Sequence, residues 1–404
     1  MLFKWLKPGS RRSQSSSSSS NSSGRLFVLP YDLLEEIATT YFSRREAAAL
    51  LTVNSQFHVA FSRALWRTLD ASRNPMQSIP GEPWRKYGHL VRCMSIETHH
   101  IHGPWLANLS NLTELTLNLT DSMAIWTDRL ELLSLRRIRA VAYKYGWKAE
   151  TASAFMDLAQ HLEQKNKSLL VQWDLILREY EHVAALNTII NRVDDTDRHS
   201  FSIAYLTPLP LIFSQFSKLS RMLVKVDVGS CFSDFRDFFL HCSGSENIDY
   251  TFSRLTTLRL HLPTNMDDDR TDLFMVTPVR FPSLTNMQIK TTNYLDHLPG
   301  FSDSTDYTWF TITELRFQSS LDSNNVNQAL KRLPNLERLV FEQCMLDLDM
   351  TTITEHLPRL RYFEFGSKVQ LKCSNQHNAF GPVVSIKEVV FRLEEFNSGH
   401  YHYV

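Results

Sequence analysis

Apolar positions along this chain change their period once, shortly after Trp66. Up to that point they recur at helical spacing, with Leu33, Leu34, Ile37 and Tyr41 on one face as i, i+1, i+4 and i+8. Pro30 suits a first helical turn, where a missing N–H costs nothing, and Asp32 and Glu35 favour the positive end of the helix dipole. Ser43 and Glu46 form an S-x-x-E capping box that restarts a helix through Leu50 and Leu51. Asn54 or Ser55 caps a third helix carrying Phe57, Phe61, Leu65 and Trp66. Three such short helices bury too little surface to stand alone, so an apolar face is left for a partner.

The next stretch, "RTLDASRNPMQSIPGEPWRKYG", holds Pro75, Pro80, Pro83 and two glycines and reads as a connecting segment. Beyond it an apolar-x-x-apolar-x-apolar kernel recurs: "VRCMSI" from Val91, "LTELTL" from Leu112, "LSRMLV" from Leu219, "LTTLRL" from Leu255, "LTNMQI" from Leu284, "ITELRF" from Ile312, "LERLVF" from Leu336, "LRYFEF" from Leu360 and "IKEVVF" from Ile386. From Leu255 the steps are 29, 28, 24, 24 and 26 residues. Weaker kernels start at Leu135, Ser168 and Phe201. Between kernels lie helically spaced sets: Phe155, Leu158 and Leu162; Val183, Leu186, Ile190 and Val193; Val326, Leu330 and Leu333; Met350, Ile353 and Leu357. A strand-plus-helix unit of this size has one apolar face, and stacking neighbours is what buries it.

The first block resembles the F-box on Leu29-Pro30, Leu33-Leu34, Ile37, Leu50-Leu51, Val53, Phe57 and Leu65-Trp66, with Asn54-Ser55 standing where the family often has cysteine and tryptophan. The kernel and its period resemble leucine-rich repeats, without the consensus asparagine. The fold class expected is therefore α/β: a short three-helix F-box followed by a leucine-rich-repeat solenoid, or horseshoe, of roughly a dozen irregular repeats. The expected boundaries are a Ser-rich basic tail over 1–25, the F-box over 26–68, a linker over 69–88, the repeat domain over 89–395 and a C-terminal tail over 396–404.

Composition narrows the function classes. The formal net charge is zero, so no global field recruits nucleic acid or an anionic membrane. Lys4, Lys7, Arg11, Arg12 and Arg25 stand in the tail with no acid, beside a serine run that cannot bury enough surface to fold. This tail reads as a solvated tether; its Arg-rich, Ser-rich, acid-poor makeup also fits a mitochondrial transit segment or a membrane-dipping anchor. Five widely spaced cysteines with no C-x-x-C pair point to free thiols in a reducing compartment, cytoplasmic or nuclear, which makes the sequons at Asn108, Asn111 and Asn118 incidental. No apolar run is long enough for a transmembrane segment.

No chemistry-bearing motif stands out. The 12 glycines are scattered singly, with no phosphate-cradling loop, and there is no H-E-x-x-H or G-x-S-x-G. His99, His100 and His102, like His400 and His402, have no acid or cysteine at ligand spacing, and Asp267 to Asp269 lack the glycine and distal glutamate of a calcium loop. The expectation is no catalysis, no metal and no cofactor.

What the repeat offers is a shared sheet face. Residues three, five and seven of each kernel point away from the core, giving basic positions Arg221, Lys225, Arg259, Lys290, Arg316 and Arg338 on neighbouring rungs, with Glu314 and Glu342 among them. Arginine there can pair bidentately with a carboxylate or phosphate of a protein client, and the alternative is an ordinary solvated face. The double resemblance implies a substrate receptor of SCF-type cullin-RING ubiquitin ligases. In that family the F-box docks on the Skp adaptor, here by Leu29, Pro30, Leu33, Leu34, Ile37, Leu50, Leu51, Val53 and Trp66, while the repeats hold the client. A repeat scaffold working outside any ligase is encoded equally well.

Overall fold

The computed structural model describes residues 29–70, 81–97, 107–119, 134–142, 147–205, 216–228, 251–262, 276–291, 307–318, 322–342, 344–366, 369–372 and 388–392. The Ser-rich tail, the C-terminal tail, the histidine clusters, Asp267 to Asp269 and Cys231, Cys242 and Cys373 lie outside these residues.

Three helices form where the spacing predicts them: α1 (Tyr31–Tyr41), α2 (Arg44–Leu50) and α3 (Ser55–Arg67). The α2 capping box is complete, the Ser43 backbone donating to Glu46 Oε2 at 2.8 Å and the Glu46 backbone donating to Ser43 Oγ at 3.4 Å. The Ser43 hydroxyl, which donates to the same carboxylate at 2.7 Å, and after it the Ser43 backbone N–H hold the Glu46 carboxyl below its usual range. Asn54 caps α3, its side chain accepting from the Phe57 backbone at 2.9 Å. Leu34, Ala38, Ala47, Ala60 and Phe61 make the core of this block.

Among the described residues thirteen strands form one parallel sheet in the order β1-β2-β3-β4-β5-β6-β7-β8-β9-β10-β11-β13-β15, and β12 pairs with β14 in a small second sheet. The strands are β1 (Thr68–Asp70), β2 (Cys93–Glu97), β3 (Glu114–Asn118), β4 (Arg137–Ala142), β5 (Leu170–Leu177), β6 (His199–Tyr205), β7 (Leu223–Val228), β8 (Thr257–Leu262), β9 (Asn286–Thr291), β10 (Glu314–Gln318), β11 (Arg338–Phe341), β12 (Leu346–Asp349), β13 (Tyr362–Gly366), β14 (Val369–Lys372) and β15 (Glu388–Arg392). One compact unit holds α1 to α3 with β1 to β3, and another runs from Leu170 through β15. A sheet with one strand per repeat, in chain order along the run of kernels, is the arrangement a leucine-rich-repeat solenoid requires. Helices connect some of the strands: α4 (Gly81–Tyr87), α5 (Ala149–Lys165), α6 (Tyr180–Arg192), α7 (Phe216–Met222), α8 (Ser323–Lys331) and α9 (Met350–His356). The helically spaced sets anticipated in the sequence fall on α5, α6, α8 and α9 or end just past them.

The repeats whose kernels begin at Val91, Leu112, Leu255, Leu284, Leu336 and Leu360 enter their strands through the same tight turn. The first kernel residue donates its N–H to the carbonyl three residues earlier, as Leu112 does to Leu109 and Leu336 to Leu333, both at 3.1 Å. That earlier position packs inward as Leu109, Phe252, Phe281, Trp309, Leu333 or Leu357, all at or near zero exposure. In the first repeat it is Gly88, because a Cβ there would sit 2.7 Å from the Asn108 carbonyl oxygen. Aromatic rings continue the stacking between repeats, with Phe252 on Phe281 at 5.0 Å and Phe317 on Phe341 at 5.4 Å.

Two side-chain ladders stand in for the consensus asparagine. The residue before the kernel donates to the preceding repeat, Asn111 to His89 O (2.8 Å), Ser134 to Ser110 O (3.0 Å), Ser283 to Ser253 O (2.6 Å) and Asn335 to Phe310 O (2.7 Å). The second kernel residue does the same with a hydroxyl: Thr113 to Arg92 O, Thr256 to Val224 O, Thr285 to Thr256 O and Thr313 to Thr285 O, at 3.0 to 3.3 Å. Asparagine and serine before the leucines thus give a donor to carbonyls of the preceding repeat, and the threonine hydroxyls add a further bond to carbonyls that already accept backbone N–H groups from the same repeat.

The segment read as a linker is more structured than its prolines and glycines imply. The strand β1 follows α3 without a break and pairs with β2, and α4 forms over Gly81–Tyr87. Pro83 is tolerated there because it lies in the first turn, where no intrahelical N–H is required.

Candidate functional site

The two surfaces read from the sequence are the helical block and the sheet face. In the block, the nine residues assigned to adaptor docking do not form one exposed set. Leu29 and Leu33 are 40% and 43% exposed, Val53 is 57% exposed and Pro30 is exposed beside them. The Gln56 amide donates to the Leu29 carbonyl, bringing the start of α1 to the first turn of α3, three residues from Val53. Ile37, Leu50 and Leu51 are half-buried, the two leucines against the block's core. Leu34 and Trp66 are buried.

Trp66 has a local role. Its ring meets Trp84 edge-on at 5.6 Å and stacks on Tyr87 at 5.2 Å, so the last aromatic of α3 is enclosed by α4. Arg67 then pairs with Glu35 of α1 at 3.2 Å, while Arg44 of α2 donates to the Thr68 carbonyl. The junction of α3 with β1 is therefore held by both other helices.

On the sheet face, the rungs from β8 to β13 have the anticipated register. Thr257, Asn286, Glu314, Arg338 and Tyr362 align in one row, and Arg259, Gln288, Arg316, Val340 and Glu364 in the next. The β7 rung does not. The kernel is shifted four residues, from Leu219 to Leu223, so that Lys225 pairs with Thr257 and Asp227 with Arg259. Arg221 belongs to the last turn of α7 and is off the face. Leu219 and Met222 are both buried by that helix, and their run into Leu223 produces two overlapping apolar patterns in the sequence. Asp227, missed in the sequence reading, takes the rung position that the shift opens.

Charge on this face falls into two parts. From β10 to β13 it closes on itself: Arg316 meets Glu342 at 2.7 Å and Glu314 at 3.7 Å, and Arg338 meets Glu314 at 3.4 Å and Glu364 at 3.8 Å. Asn286 donates to Glu314 at 2.7 Å, Tyr362 donates its hydroxyl to Glu364 at 2.6 Å, and the Arg338 guanidinium lies 3.8 Å over the Tyr362 ring. That hydrogen bond pushes the Tyr362 phenol above its usual pKa. Val340 and Glu364, expected to point outward, are buried. From β7 to β9 the contacts are looser, Asp227 lying 3.7 Å from Arg259 and 3.4 Å from His261. Burial holds the His261 imidazole below its ordinary value, with Asp227 opposing that shift. Among the described residues neither Lys225 nor Lys290 has an ion-pair partner.

Among the described residues no cluster of histidine, cysteine and carboxylate side chains is arranged to hold a metal, and no helix is long and apolar enough to cross a membrane.

No family model and no curated protein matches the chain. Among solved structures it is similar to a chain of the Toll–Spatzle complex of Drosophila, at 13% identity and a TM-score of 0.38 over 75% of this chain and 47% of that one. It is also similar to a leucine-rich-repeat protein of Leptospira interrogans, at 12% identity and a TM-score of 0.25 over 81% and 96% of the two chains. The chain thus spans about half the length of the Toll-complex chain, 47% of it. The repeat architecture here stands on the chain's own strand order and register.

Proposed function

We propose that this chain is a non-catalytic substrate receptor of an SCF-type ubiquitin ligase. Its helical block, the F-box of this reading, docks on the Skp adaptor and through it on the cullin-RING ligase, and the sheet face of the repeats holds a protein client for ubiquitination. The observation that carries the reading is the exposed apolar set Leu29, Pro30, Leu33 and Val53, gathered where α1 starts and α3 begins, on a block whose own core is minimal. Such a set is what an apolar interface draws its anchors from. A repeat array with an extended, polar sheet face supports the client half of the reading.

Replacing Leu33 and Val53 together by glutamate tests docking without touching the core, which a charge at half-buried Ile37 would disturb. The expected result is loss of Skp copurification with an unchanged unfolding midpoint; copurification at the wild-type level overturns the reading. Client half-life with and without the chain separates ligase work from a repeat scaffold that binds without promoting turnover.

A further inference from the structure

We infer that the anionic group of the client is received on strands β8 and β9, by Arg259 and Lys290 with Lys225 at the flank and His261 and Gln288 as hydrogen-bonding neighbours. The inference rests on reading this sheet face as the client-holding surface. Of the six cations anticipated as one basic ladder, Arg221 lies on α7, and Arg316 and Arg338 are engaged by Glu314, Glu342 and Glu364. Two cations against three carboxylates leave the β10 to β13 part at minus one. Lys225, Arg259 and Lys290 against Asp227 leave the β7 to β9 part at plus two.

The geometry of that surplus suits one compact anion. Register places His261 directly beside Lys290 and Arg259 directly beside Gln288, across strands about 4.8 Å apart. All four side chains are half-buried, reachable from solvent yet backed by the sheet. Arg259 is the least committed guanidinium on the face. Its 3.7 Å contact with Asp227 is longer than a hydrogen bond, and its Nε is shut off from solvent with no hydrogen-bond partner among the described residues. An oxyanion seated between β8 and β9 gives that guanidinium a fork partner and gives Lys290 an ion pair. A surplus of two charges matches a phosphoryl dianion or two neighbouring carboxylates.

The test uses the full chain and three immobilised random-sequence peptide libraries that differ only in a fixed central residue: phosphoserine, glutamate or serine. Wild-type chain is expected to be retained about 10-fold more strongly on at least one charged library than on serine. Arg259→Gln with Lys290→Gln is expected to fall to the serine level, while Lys331→Gln with Arg359→Gln, an equal charge change on exposed residues elsewhere, keeps the preference. Phosphoserine above glutamate identifies a phosphoryl group, and parity identifies a carboxylate. Equal retention on all three libraries, or a charged-library preference that survives the Arg259 and Lys290 changes, overturns the inference. Skp copurification is read in parallel: its persistence when the peptide result fails removes this seat alone, and its loss in wild-type chain strikes the docking reading instead.

Discussion

Trp66, the last aromatic of α3, meets Trp84 of α4 edge to face, with ring centroids 5.6 Å apart and planes at 84°. Resemblance makes Trp66 a docking residue, whereas its 9% exposure makes it a core residue. Trp66→Ala is therefore expected to cost about 3–5 kcal/mol of stability, the range for emptying a buried tryptophan site. Thermal unfolding of Trp66→Ala beside Leu33→Glu checks this: the first lowers the midpoint and the second does not. Equal midpoints would place Trp66 outside the core.

His182 adds a pH dependence in the second unit. Its ring stacks on Trp147 at 4.4 Å, Nδ1 accepts from the Arg178 backbone at 3.2 Å, and Nε2 donates to the Trp147 carbonyl at 3.1 Å. Both nitrogens are used as the neutral ring uses them, and burial lowers the pKa from 6.5. The unfolded chain thus takes up this proton first, so the stabilisation is complete above the unfolded pKa and is lost as pH falls through the folded one. Midpoints measured between about pH 7.5 and about pH 5 should fall further for wild type than for His182→Phe, which keeps an aromatic ring and cannot titrate. Parallel curves would refute the assignment.

Asn111 belongs to a sequon, Asn111-Leu112-Thr113, of which both polar members are already engaged. The Asn111 amide nitrogen that a glycan would modify donates to His89 O at 2.8 Å. Directed through a secretory route, the folded fraction should carry no glycan at Asn111, as read by peptide mass after glycosidase treatment. Asn111→Ala should cost about 1 kcal/mol, since it leaves the His89 carbonyl without this donor.

Gly88 stands where later repeats place a large apolar residue, and the Asn108 backbone occupies the room. A methyl group at 2.7 Å from a carbonyl oxygen forces backbone to move, not the end of a side chain. Gly88→Ala is expected to lower stability by about 1–3 kcal/mol, measured as a shift in the urea midpoint at unchanged slope.

Much of this was legible in the linear pattern because burial alternates along strands such as β2, β3 and β10. Leu315 and Phe317 are buried while Glu314, Arg316 and Gln318 are half-exposed, and that two-residue period survives in the letters alone. The β7 kernel misled because a helix bearing Leu219 and Met222 runs straight into the strand, so two periods overlap with no punctuation between them. The α4 helix was hidden by Pro83, which is harmless in a first turn. The side-chain ladders were beyond reach for a different reason: a threonine's partner is fixed by which residue of the preceding repeat stacks against it, and that is information about register. The same holds for the sheet face, where residue types showed a basic ladder and only pairing across strands showed how much of it is already neutralised.

The threonine hydroxyls immediately ahead of β8, β9 and β10 give the array an interchangeable seam. Thr285 closes on the carbonyl of Thr256, and Thr313 on the carbonyl of Thr285, so each of these repeats presents to the next what it received from the one before. A duplicated or deleted copy bounded at those threonines would meet a matching neighbour on either side. Growth and shrinkage of this stretch by whole rungs is thereby built into its chemistry, leaving the helical block at the start of the chain unaltered while the sheet face is lengthened or cut.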